Sequence, residues 1–62
     1  MPATPLAMSS ADLRAFRDML GLTQAELAER IGMHPNSVAR MERGELAISA
    51  RTAAAVRLLV SR

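Results

Sequence analysis

The chain has no cysteine, no lysine, no tryptophan and no tyrosine, and only one aromatic side chain, Phe16. Without cysteine no disulfide can staple the fold, and a lone histidine, His34, cannot build a structural zinc site. With so few aromatics, the apolar half of the sequence is drawn from Ala, Leu, Val, Ile and Met, which favours helix over sheet. No apolar run approaches the roughly 20 residues that cross a bilayer. Met1–Ala7 has neither the charged nor the apolar region of a secretory leader, so a cytoplasmic protein with no membrane partner is expected. A glycine-rich phosphate loop, paired carboxylates and a nucleophile with its base are all missing. The chain is therefore expected to be no enzyme and to use no metal or cofactor.

At 62 residues there is room for one domain with one small core. A chain this short buries only about 60% of its unfolded surface, which makes self-association the remaining common source of stability. Eight arginines face six acids, a net charge of +2. So small an excess says little by itself; any electrostatic role must come from where the arginines lie.

Residues 1–8 contain two prolines and no charge and read as a flexible N-terminal arm, with the domain proper over 9–62. From there one helix-start grammar repeats. Ser9 with Asp12, and Thr23 with Glu26, have capping-box spacing, each flanked by a hydrophobic staple (Met8 with Leu13, Leu22 with Leu27). His34 caps less well, but Pro35 suits a first helical position and Met33 pairs with Val38. Ser49 can cap a last helix. Gly21, Gly32 and Gly44 fall where left-handed residues end helices. Four helices follow, at about 10–20, 24–31, 35–43 and 50–61.

Leu13, Phe16 and Leu20 form an apolar stripe on the first helix, and Leu27, Ala28 and Ile31 on the second. On the third, Val38 and Met41 point inward while Asn36, Ala39, Arg40 and Arg43 point the other way, with Glu42 toward the flank. Arginine can pair with guanine O6 and N7, and asparagine with adenine N6 and N7. Ala39 leaves room for close approach to a groove, and Pro35 offers an apolar tip for a thymine methyl. Two short helices around a glycine turn, the second so equipped, have the layout of a DNA-reading helix-turn-helix.

Leu22-Thr23-Gln24-x-Glu26-Leu27-Ala28, then Ile31-Gly32, then Met41-Glu42-Arg43-Gly44, in this order and spacing, resemble the lambda-repressor-like, Cro/C1-type (XRE) helix-turn-helix family. The likeness runs from Leu13 to about Val60. It implies an all-α DNA-binding transcriptional regulator, a repressor that reads a near-palindromic operator on double-stranded DNA as a homodimer. By position it implies base contacts from Pro35, Asn36 and Arg40, and phosphate contacts from Gln24, Ser37 and Arg43. Gln24 would also brace the reading helix, and Arg17 and Glu42 would form an ion pair between helices one and three.

Three features depart from the family pattern. Pro35 replaces a polar reading residue, His34 stands where Ser or Thr often caps, and the four-helix reading leaves the usual fifth helix without a counterpart. The last helix offers a substitute interface. Ala55, Val56 and Leu59 make one apolar face, while Ala54 with Leu58, and Ala53 with Val60, extend apolar surface around it. A helix apolar nearly all round needs cover on more than one side, so Ala54, Leu58 and Val60 are candidates for a dimer interface. The alternative is an antitoxin-like or adaptor protein that covers this surface with a protein partner.

Overall fold

The computed structural model describes residues 7–62, so residues 1–6 of the expected arm lie outside the described part. Four helices follow in order: α1 (Ser10–Leu20), α2 (Gln24–Ile31), α3 (Pro35–Glu42) and α4 (Ala50–Val60), with no strand among the described residues. Each start is fixed by a cap. Ser9 Oγ accepts from Asp12 N at 3.0 Å while Asp12 Oδ2 accepts from Ser9 N at 3.2 Å. Thr23 and Glu26 reciprocate in the same way at 3.1 and 2.8 Å. At α4, Ser49 Oγ accepts from Thr52 N at 3.1 Å. Each exchange satisfies amide donors that the first helical turn leaves without partners.

The turn between α2 and α3 depends on Gly32, which sits at φ +71°, a conformation that costs a Cβ-bearing residue energy. From it Met33 N donates back to Ala28 O at 2.8 Å, and the chain enters α3 at once. α3 is one residue shorter than the sequence suggests, because Arg43 is its cap rather than its last residue. α4 is also one residue shorter, capped by Ser61.

Leu13, Leu27, Ala28, Val38, Met41, Ala53 and Val56 form the core, and Phe16, Leu20, Ile31 and Leu59 pack around it. Met8, placed in the arm by sequence, is buried with them, and Arg57 Nη2 donates to Ala7 O at 2.9 Å. The last helix needs a correction. Its inward face is carried by Ala53 and Val56, with Ala55 only half-buried. Of the three interface candidates, Ala54 and Leu58 are exposed and Val60 is half-buried. Leu58 and Met19 are the large apolar side chains left exposed among the described residues, at 60% and 70%.

Candidate nucleic-acid interface

α3 is divided along its length by its contacts. Val38 and Met41 are sealed in the core, and Pro35, Asn36, Arg40 and Arg43 are exposed. Asn36, Arg40 and Arg43 follow i, i+4, i+7 spacing, so they form one stripe down the outer face. Ala39 and Ser37 are half-buried beside that stripe. At its leading end His34 Nδ1 accepts from Asn36 N at 3.0 Å, so the imidazole caps the helix through an unprotonated ring nitrogen. Pro35 has no N–H to satisfy, so its place at the first helical position leaves no donor orphaned.

The stripe is aimed by a buried acid. On the flank of α3, Glu42 has no exposed side-chain surface, while Arg17, the ion-pair partner the resemblance implies, retains only 16%. Arg17 Nε donates to Glu42 Oε2 at 2.6 Å and Nη2 to Oε1 at 2.9 Å. Gln24 Nε2 adds a third hydrogen bond to Oε1 at 3.1 Å, and Arg14 Nε lies 3.6 Å from the same oxygen. Arg17 Nη1 meanwhile donates to Leu22 O at 3.0 Å, between α1 and α2. One carboxylate thus joins α1, α2 and α3, and no buried side-chain N or O among the described residues lacks a partner.

Burial pushes the Glu42 carboxyl up, but hydrogen bonds from Arg17 and Gln24, with the charges of Arg17 and Arg14, outweigh it. The carboxyl is held below its ordinary value of 4.5 and stays ionised at neutral pH. The hydrogen bonds to Glu42 raise the Arg17 guanidinium in turn, against the opposing effect of burial.

Two residues read from sequence as phosphate contacts have partners within the protein. Gln24 gives one amide hydrogen to Glu42 and keeps a second without a partner among the described residues. Arg43 is paired with Glu45: its Nε donates to Oε2 at 2.7 Å and its Nη2 to Oε1 at 3.2 Å. Arg40 Nε stands 3.9 Å from Glu45 Oε1. Glu45 escaped the sequence reading. The one available signal was an acid placed just beyond the helix-ending glycine, within reach of both arginines.

The four-helix frame, the tight α2–α3 turn and the cationic outer stripe define a helix-turn-helix unit. The helix-turn-helix family model matches residues 13–57. The chain belongs to this family, the Cro/C1-type or XRE helix-turn-helix proteins. No curated protein and no solved structure matched in the corresponding comparisons. This is a family of DNA-binding transcription regulators that is not typically enzymatic. No helix among the described residues is long and apolar enough to cross a membrane.

Proposed function

We propose that the chain is a cytoplasmic transcriptional repressor that binds a near-palindromic operator as a homodimer, with α3 of each subunit in the major groove. Asn36 and Arg40 read base edges, and Pro35 meets a thymine methyl at the tip. Gln24, through its remaining amide hydrogen, works with Ser37 and Arg43 to fix the domain on phosphates. The observation that carries this reading is the exposed Asn36–Arg40–Arg43 stripe on a helix held by the buried Glu42 network. The exposed Leu58 and Ala54 support a subunit interface on α4, which would add the burial that so small a core lacks.

Selection of bound duplexes from a random pool tests DNA binding and symmetry together. The expected product is an inverted pair of half-sites with centres about 34 Å apart, one helical turn. Enrichment of single, unpaired half-sites would refute the dimeric operator, and no enrichment at all would refute sequence-specific reading. Exposed Leu58 also supports a second reading, an antitoxin-like or adaptor protein that holds a protein partner on the last helix. Stoichiometric co-purification with one defined protein, together with no selected consensus, would favour that reading.

A further inference from the structure

The base-reading and phosphate-binding arginines share one intramolecular anion. Beyond α3, Glu45 N donates to Arg40 O at 2.9 Å, which fixes the residue against the last turn of the helix. Its carboxylate takes two hydrogen bonds from Arg43, at 2.7 and 3.2 Å, and lies 3.9 Å from Arg40 Nε. All three side chains are about half exposed, at 46%, 52% and 52%, so they sit on the face offered to a partner rather than in the core. The charges there do not simply add. Glu42 is matched by Arg17 beneath the surface, which leaves Arg40 and Arg43 as the cations of the outer stripe and Glu45 as the acid between them.

To a guanidinium fork a carboxylate and a phosphate are closely similar ligands, each presenting two oxygens to parallel N–H groups. We propose that Glu45 is a built-in competitor of DNA. It occupies Arg43 and restrains Arg40 in the free protein, and so weakens binding to arbitrary sequence and to the operator alike. The proposal rests on the assignment of α3 as the DNA-reading helix. A backbone phosphate, present at every sequence, can only exchange for the Glu45 carboxylate at Arg43. That exchange is close to balanced, and the displaced acid then stands within a Debye length of about 8 Å of the phosphates and repels them. Only a correctly placed guanine gives Arg40 a new bidentate partner in return. The cost of displacing Glu45 thus falls on all DNA, and the guanine contact decides which DNA overcomes it.

The test compares Glu45→Gln with the unaltered protein on two duplexes, the selected operator and a scrambled sequence of equal length, across a salt series. Glutamine keeps the shape and the Glu45 N–H to Arg40 O bond but removes the charge. Affinity for scrambled DNA should rise about three- to tenfold, as expected for loss of an exposed ion pair plus a nearby repulsion, and operator affinity should rise at least as much, because Arg40 is released there as well. The salt dependence on scrambled DNA should steepen by about one unit per protomer. In an Arg43→Ala background most of the gain from Glu45→Gln should vanish, whereas a full gain there would show a general field effect and overturn competition for Arg43. If the unaltered protein binds both duplexes and Glu45→Gln changes neither affinity, or raises only that for scrambled DNA, the role of Glu45 is overturned while DNA reading stands. If the unaltered protein binds neither duplex, the DNA-reading assignment falls and this proposal falls with it.

Discussion

Arg17 and Glu42, twenty-five positions apart in the chain, meet through two hydrogen bonds of 2.6 and 2.9 Å and lock α3 to α1. Removing one partner of such a pair strands the other without its charge match, which typically costs about 3–5 kcal/mol for buried groups. Arg17 keeps some exposure, so the lower end of that range is expected. Measured by chemical denaturation, a double-mutant cycle of Arg17→Met and Glu42→Gln should give a coupling energy well above 1 kcal/mol, the usual ceiling for exposed pairs. Additive losses would show that the two side chains stabilise the fold independently.

The same pair sets an acid limit. The folded-state pKa of Glu42 lies below its unfolded value, so the ionised carboxylate favours the fold. Its contribution is complete above the ordinary glutamate value of 4.5 and is lost as pH falls through the depressed folded value. Glu42→Gln should therefore flatten the acid limb of a stability–pH curve while leaving its shape above neutral pH unchanged. An acid limb of unchanged steepness in the variant would assign acid sensitivity to other carboxylates.

Arg40 and Arg43 should differ in the character of their losses. Arg40→Ala should relax preference at one position of each half-site, with a loss of about 1–3 kcal/mol on the preferred base pair. Arg43→Ala should weaken binding to all sequences alike and make the salt dependence shallower. A selected consensus identical to that of the unaltered protein would remove Arg40 from base reading.

His34 caps α3 with a ring nitrogen, a poorer solution than a short carboxylate that also complements the positive end of the helix. His34→Asp should raise stability by about 0.5–1 kcal/mol and at the same time weaken DNA binding, because the new charge would face phosphate. Thermal melts and fluorescence anisotropy on one preparation would read both effects. Tighter DNA binding by the variant would place position 34 away from the nucleic acid.

On α4, Leu58→Glu places a charge on a side chain that is 60% exposed, so a dimer held there should dissociate without loss of the fold. Sedimentation should show more monomer, with weaker binding to a two-half-site operator. Val60 is half-buried, so Val60→Glu would confound association with stability. A Leu58→Glu protein that remains dimeric would locate the interface elsewhere.

Helix boundaries were legible because their signals are local. Ser9, Thr23 and Ser49 cap within three residues of themselves, and the glycines mark the turns. The inward face of α4 was harder to read because residues 53–55 are all alanine, and identical small side chains carry no helical phase. The pairing of Glu42 with Arg17 was expected, but the complete burial of its side chain was not. An acid reads as a surface residue until its three hydrogen bonds from Arg17 and Gln24 are seen to replace water. The pairing of Glu45 with Arg43 depends on how the chain folds back after Gly44, and irregular backbone has no period from which to infer side-chain direction.

Of the eight arginines, the one at position 17 is the least replaceable by another cation. Its planar fork serves both oxygens of Glu42 and the carbonyl of Leu22 at the same time. Lysine carries the same charge on a single nitrogen whose hydrogens diverge from one point, and it cannot reproduce that parallel pair. A chain recoded from arginine to lysine throughout would keep its net charge of +2, and much of its attraction for an anionic partner with it. The angle at which α3 meets that partner would no longer be set, so charge would survive the exchange and aim would not.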